Sequence, residues 1–477
     1  MKITYIASEA NPFAASGGLG DVMGALPAAV LKEGDESTSV SVIMPLYRSI
    51  SEAHRATMKK IFEFRFYLGW RHAYCGVFET VKDGVRYLFL DNEYYFYRDH
   101  LYGDFDDGER FAYFSRAAIE YICQSGDIPD ILHANDWQSA LSVVYLKTKH
   151  KDDLRLSGIK TVFTVHNIEY QGKYDTRIIS DIFDLDPYYT SVLEYDGALN
   201  LLKGALVTAD AVTTVSPRYA EELRYDAFSY GLSPMIEMIA DKLYGIINGI
   251  DTAYFDPASK TDGIVPYTAR GYKKGKGENK LALQRALGLP EREDVPMIAM
   301  ITRLTHGKGV DLVLHIFEEL LEEDIQFVLL GTGDESYERI FSMLCDRHGD
   351  KARAILKFDR TLSKQIYAAA DLFLMPSKSE PCGLAQMIAC RYGTLPIVRN
   401  VGGLHDSIIP YGAEGANGFV FEHFNAHELL FCTKDALEVI RTPEARRTMV
   451  QSAMKSDFTW ARSARKNLEL YASLLAR

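Results

Sequence analysis

Four short stretches carry residue types that could hold a small anionic ligand. The first, Ser16-Gly17-Gly18-Leu19-Gly20-Asp21, follows an apolar run and opens a helical pattern. Glycines let a backbone approach a ligand closely, and a helix N-terminus offers free N–H groups and a positive dipole end, so this loop suits a phosphate. Its spacing is not the G-x-G-x-x-G fingerprint, and a plain tight turn has the same composition. The second stretch runs from Arg303 to Lys308 and puts two cations in one loop. Arg acts as a planar fork and Lys as a point charge, a combination suited to a pyrophosphate, although a solvated loop reads similarly. The third, Pro376 to Leu384, holds Glu380, Pro381, Cys382, Gly383 and Leu384 ahead of a helical run to about Arg391. Pro381 near a first helical turn leaves the amides of Gly383 and Leu384 to face a phosphate, with Glu380 a dipole-favoured acid or a ligand contact. The fourth is a pair: His166-Asn167 and Asp136-Trp137 each follow a short apolar run. Either alone reads as a satisfied loop histidine or a capping aspartate, but two strand ends offering polar groups at one sheet edge make a candidate site.

These residues need strands and helices to position them. Short apolar runs at residues 3–7, 40–44, 131–133, 161–165 and 211–215 alternate with helical stretches such as 21–31 and 110–123, which predicts a parallel α/β sheet. Period-two runs on either side of Asp83-Gly84 predict a hairpin, taken as an insertion at the sheet edge. Residues 258–280 are polar and rich in Gly and Lys, and read as an exposed loop. Strands resume at 297–301, 327–330, 354–357, 372–375 and 395–398, so a second α/β domain follows. The expected fold is α/β, with two doubly wound domains facing a deep cleft.

Composition narrows the function. A chain of 477 residues exceeds what one core holds, so two domains are expected. With 53 Lys and Arg against 65 Asp and Glu, the net charge is −12, which argues against nucleic-acid binding by bulk charge and requires a local cationic pocket for any anionic substrate. The 6 cysteines are scattered without C-x-x-C spacing, which predicts no disulfide framework and no metal site, in a reducing cytoplasm. No apolar leader and no run of membrane-spanning length is visible.

Taken together, S-E-A-x-P-F, G-G-L-G-D-V, H-A-N-D-W-Q, F-T-V-H-N-I-E-Y-Q-G, T-R-L-T-x-x-K-G, P-S-x-x-E-P-C-G-L-x-Q, Y-G-T-L-P-I-V-R and D-F-T-W resemble the bacterial glycogen synthase and plant starch synthase family nearly end to end. Related glycosyltransferases usually carry a second Glu eight positions after the first; Ile388 stands there, which favours the synthases. The resemblance implies a GT-B fold of two Rossmann-like domains and a retaining transfer of glucose from ADP-glucose to an α-1,4-glucan (glycogen), with no metal or other cofactor. It implies domains at residues 1–241 and 242–455, and a terminal helix at 456–477 packing on the first. Carried over position by position, Arg303 and Lys308 bind the diphosphate, Glu380 holds sugar hydroxyls, His166 sits at the glucose and Asp136 lines the acceptor side. Phe358 falls where an aromatic ring meets the adenine, and Ser16, Gly17, Gly18, Asp21, Asn167, Asn248, Cys382, Gly383 and Leu384 complete the donor site.

The chain departs from the family where K-T-G-G-L or K-V-G-G-L is usual: Ala15 replaces the phosphate-contacting Lys. Losing one charge-assisted hydrogen bond is worth about ten- to a hundredfold in donor affinity or turnover. Gly307 for Gln and Thr459 for Ser are lesser departures. Three readings follow: an active ADP-glucose-dependent synthase, which the retained Arg303, Lys308, Glu380 and His166 favour; a weakly active or non-catalytic glucan-binding relative; and a synthase that uses UDP-glucose. Acceptor length, oligomeric state and regulation are open at this point.

Overall fold

The computed structural model describes residues 1–476 and divides into two units, Met1–Asn248 with the segment from Trp460 onward, and Gly249–Thr459. The first is built on β1 (Lys2–Ile6), β2 (Ser39–Pro45), β3 (Lys59–Leu68), β4 (Arg71–Lys82), β5 (Val85–Asp91), β6 (Ile131–Asn135) and β7 (Lys160–Val165). Three short strands, β8 (Lys173–Tyr174), β9 (Glu194–Tyr195) and β10 (Ala198–Asn200), form a small sheet of their own, and β11 (Ala211–Thr214) and β12 (Leu243–Gly245) complete the large one. Its order is β12-β11-β7-β6-β1-β2-β5-β4-β3. Strand β1 therefore lies between β2 and β6, parallel to both, with Ile3, Tyr5 and Ile6 fully buried. The chain's direction of advance reverses there, and in an open α/β sheet the crevice beyond such a point is where ligands sit.

The expected hairpin is present, with Asp83 and Gly84 both left-handed at φ 52° and 80°, the two-residue turn whose twist matches that of the flanking strands. It is more than an edge insertion, because β5 also pairs in parallel with β2; only β4 and β3 extend the sheet beyond it.

The terminal helix Trp460–Leu475 buries Ala464, Leu470, Tyr471 and Leu474 in the first unit. Tyr471 begins a buried chain of hydroxyls and imidazole that crosses four strands. Its Oη lies 2.9 Å from Tyr5 Oη and 2.6 Å from His133 Nδ1. His133 Nε2 lies 2.5 Å from Thr164 Oγ1, itself 2.6 Å from Thr213 Oγ1. Burial lowers the His133 pKa to about 3, so the ring stays neutral and links two partners instead of carrying charge.

The second unit has one parallel sheet of β13 (Met297–Ile301), β14 (Gln326–Leu330), β15 (Ala352–Ile355), β16 (Leu372–Met375), β17 (Leu395–Arg399) and β18 (Phe419–Phe421). The order β15-β14-β13-β16-β17-β18 is that of the doubly wound nucleotide-binding fold, with its switch point between β13 and β16. The units part at Asn248 and Gly249, later than the expected 241/242, because β12 still pairs with β11. Residues 456–459 stay with the second unit, where Thr459 bridges Ile250.

One expectation fails outright. The Gly- and Lys-rich stretch read as an exposed loop is in part the helix Tyr272–Leu287, with Lys276 and Lys280 buried on one face. Lys276 Nζ donates to the carbonyls of Tyr367 and Tyr392 (both 3.1 Å) and to Thr394 Oγ1 (2.8 Å). Lys280 Nζ pairs with Asp371 Oδ2 at 2.6 Å, and Asp371 also accepts from Met297 N and from Arg446. Burial pushes the Asp371 pKa up, but Lys280 and Arg446 outweigh it and hold the carboxylate ionised. Lysines count as solvent-seeking in any composition argument; these reach acceptors that only the tertiary fold supplies.

Two stability tests follow. Asp371→Asn leaves Lys280 charged in the interior and should cost about 3–5 kcal/mol in urea unfolding of the full chain; a loss below about 1 kcal/mol would show that the pair carries no such weight. Tyr471→Phe strands Tyr5 Oη and His133 Nδ1 without a buried partner, and about 1–3 kcal/mol should be lost from the first unit.

Candidate active site

The second unit brings the cationic loop and the Glu380 loop together at its switch point. Arg303 to Lys308 follow β13, and Pro376 to Leu384 follow β16, its neighbour in the sheet. Lys308 Nζ donates to Glu380 Oε2 at 2.6 Å, and Ser377 Oγ donates to the same oxygen at 2.9 Å. Glu380 is 6% exposed, so its charge is held by these two groups and not by water. Lys378 N donates to the Gly307 carbonyl at 2.9 Å, joining the loops through the backbone. Gly309, left-handed at φ 70°, lies so close to Pro376 that a Cβ there would overlap the Pro376 carbonyl. Arg399, at the end of β17, donates Nε to the Ser377 carbonyl (3.1 Å) and Nη2 to that of Lys378 (2.7 Å), fixing two successive peptides of the Glu380 loop. Arg303 is exposed, and its guanidinium has no partner among the described residues, so it is free for an anion.

The first unit gathers acids and a histidine at its own switch point. His166 follows β7; its Nε2 lies 2.9 Å from Asn135 Oδ1, and its backbone N donates to Asp136 Oδ1 at 2.8 Å. Asp136, after β6, has a left-handed backbone at φ 56°. Burial raises its pKa to about 7, against the opposing hydrogen bonds from the His166 and Asn167 amides. Burial likewise lowers that of His166 to about 4. Glu9, after β1, is 2% exposed; its carboxylate accepts from Ser16 N, from Gly17 N at 3.2 Å and from Ser16 Oγ at 2.9 Å. Ser16 Oγ also lies 2.8 Å from Tyr102 Oη. Burial raises the Glu9 pKa.

A family model described as the starch synthase catalytic domain matches residues 2–238, and one described as glycosyl transferases group 1 matches residues 287–456. Glycogen synthase of Geobacillus thermodenitrificans is 43% identical over 481 residues, covering 100% of this chain and 98% of the relative. That of Bacillus cereus is 44% identical, covering 100% of both. This chain belongs to the glycogen and starch synthase family. It is a glycosyltransferase of GT-B fold. Among solved structures, the catalytic domain of starch synthase IV from Arabidopsis thaliana, bound to ADP and acarbose, matches with a TM-score of 0.90 at 34% identity, covering 100% of this chain and 99% of that one. Sucrose-phosphate synthase from Thermosynechococcus elongatus, at 19% identity and TM-score 0.62, shares the fold.

Several synthase positions differ from the expectations drawn from sequence. The Ser16 and Gly17 amides already serve Glu9, leaving Gly18 and Leu19 as the loop residues whose amides have no partner among the described residues. Glu380 does not begin a helix, and Pro381 lies outside a first turn: the helix runs Ala385–Arg391, after a left-handed Gly383 (φ 71°) and Leu384. Asp136 does not cap the helix that follows it; its carboxylate turns to the His166 loop. Asp21 accepts from Asn11 Nδ2 at 2.6 Å, and Asn167 Oδ1 accepts from Glu169 N at 3.0 Å, holding its own turn. Cys382 is buried, Asn248 ends the first unit, and Phe358, after β15, is 81% exposed with the Arg360 guanidinium 5.9 Å from its ring centre. Glu9, Asn135, Ser377 and Arg399 were missed. All four lie inside the quoted motifs, yet each acts on a neighbour's backbone or side chain, which residue type alone does not signal. Among the described residues no group of three or more His, Cys, Asp or Glu is placed to hold a metal, and no helix is long and apolar enough to cross a membrane.

The raised pKa of Asp136 has a signed consequence. A carboxyl whose folded pKa is near 7 and whose ordinary value is 3.8 contributes most below 3.8 and loses that contribution as pH rises through 7. Asp136→Asn removes the titration, so the melting temperature of the variant relative to wild type should climb between pH 5 and pH 8, by about 2–4 °C per kcal/mol relieved. A flat or falling difference would contradict the assignment.

Proposed function

We propose that the chain is an ADP-glucose-dependent glycogen synthase that lengthens the non-reducing end of an α-1,4-glucan with retention of configuration. The observation that carries this reading is the nucleotide-binding strand order of the second unit, with the Lys308–Glu380 pair and an Arg303 unpaired among the described residues at its switch point. Arg303 and Lys308 would take the diphosphate, Glu380 the sugar hydroxyls, His166 the glucose, Asp136 the acceptor side, and Phe358 the adenine face.

In the reaction the bond from the anomeric carbon to the diphosphate oxygen breaks, and the acceptor 4-hydroxyl oxygen bonds to that carbon on the same face. The hydroxyl proton passes to the departing phosphate oxygen. Negative charge builds on the leaving group, where preorganised cations stabilise the transition state more than the ground state. No side chain of the protein attacks the anomeric carbon in this scheme, so the sugar passes through an oxocarbenium-like state. Charge neutralisation by side chains makes a metal unnecessary in this scheme, and a chelator should leave transfer unchanged.

Transfer of radiolabelled glucose to glycogen tests the reading. Incorporation from ADP-glucose should exceed that from UDP-glucose, and Arg303→Ala, Lys308→Ala and Glu380→Ala should each remove most of it while far-ultraviolet circular dichroism stays unchanged. Near-normal turnover in any one takes that residue out of the site, and a chain inert with every nucleotide sugar is the non-catalytic relative. Ala15→Lys should lower the ADP-glucose half-saturation constant by about tenfold, with the gain shrinking as salt rises because part of the added attraction is screened.

A further inference from the structure

His166 meets the sugar through a ring whose protonation the sequence does not reveal; the hydrogen bonds around Asn135 do. Asn135, the last residue of β6, is 1% exposed, and its backbone N donates to Ser139 Oγ at 2.7 Å. Its Nδ2 lies 3.2 Å from the His133 carbonyl and 3.4 Å from the Ile6 carbonyl. Carbonyls only accept, so the amide nitrogen must face them and Oδ1 must face His166. That oxygen also only accepts, so His166 Nε2, 2.9 Å away, has to donate. A neutral imidazole carries one N–H, which leaves Nδ1 with its lone pair.

We propose that Asn135 is a positioning residue that fixes His166 as the Nε2–H tautomer, so that Nδ1 acts as an acceptor for a hydroxyl of the transferred sugar. This rests on the reading that His166 contacts that sugar. Among the described residues Nδ1 has no hydrogen-bond partner. Burial keeps the ring neutral, and the titratable groups beside it are His133, itself held neutral, and Asp136, which accepts from the His166 backbone. A lone pair at Nδ1 accepts from an O–H and is repelled by a phosphate oxygen. The ring thereby recognises sugar hydroxyls and rejects oxyanions, a discrimination the opposite tautomer, able to donate to either, would lose.

The test is a long-range 1H–15N correlation spectrum of the full-length chain labelled with 15N-histidine at pH 7.5, with the His166 ring identified by its loss in His166→Gln. The expected spectrum places the proton of His166 on Nε2. In Asn135→Leu, close in volume but without an acceptor, the ring should redistribute between both tautomers, and kcat should fall about tenfold with the ADP-glucose KM changing less than about threefold. Asn135→Ala serves in its place if the leucine variant does not fold, and the wild-type tautomer is read with no change at Asn135. A proton on Nδ1 in wild type, or an Nε2–H ring unchanged in either variant, overturns the proposal. If instead His166→Gln transfers glucose at the wild-type rate, the sugar-contact reading fails while the tautomer result stands on its own.

Discussion

The ion pair between Lys308 and Glu380 is the constraint on which the second unit's candidate site turns. A carboxylate removed from water is costly unless a cation or donors meet it, and among the described residues Glu380 has one cation, Lys308, and one hydroxyl, Ser377. The pair holds two loops that leave neighbouring strands at the point where the strand order reverses. The backbone bond from Lys378 to Gly307 and the Arg399 fork on Ser377 and Lys378 keep that geometry without adding carboxylates to the site. Arg303, in the same loop as Lys308, has no side-chain partner among the described residues, which suits a site that must accept a charged ligand with little reorganisation.

The first unit is built the opposite way. Its switch point gathers Glu9, Asp136 and a neutral His166, with no cation bonded to either acid among the described residues, and burial moves all three away from their ordinary titration ranges. The Gly-rich loop turns two of its amides to Glu9, whose carboxylate has no cation bonded to it among the described residues. Behind the site, Tyr471 of the terminal helix joins β1, β6 and β7 through His133 and Thr164, the same strands from whose ends Glu9, Asp136 and His166 extend. The end of the chain thus stabilises the framework of its beginning.

Much of this was legible in the sequence because strands of a parallel sheet are short apolar runs and the chemistry follows their carboxyl ends. The sites of Arg303, Lys308, Glu380, Asp136 and His166 emerged from that rule, and the family resemblance supplied their expected roles. What failed did so for one physical reason. Lys276 and Lys280 count as solvent-seeking until the fold brings carbonyls and Asp371 to them. The glycine-loop amides look available until Glu9, seven residues earlier in chain and adjacent only in space, takes them. Glu380 resembles a helix-start acid until its helix is seen to begin at Ala385. In each case a polar group's partner is a tertiary fact, while the position of the strand carrying it is a local one.

The claim that Lys308 and Glu380 act as one unit is tested most directly by a double-mutant cycle on glucose transfer from saturating ADP-glucose to glycogen. If the pair is the element that orders the site, Lys308→Met and Glu380→Gln each cause most of the loss, and the double variant is within about threefold of the slower single. Losses that multiply, with the double variant slower than either by the full product of the two, would show two residues working independently and would contradict the account.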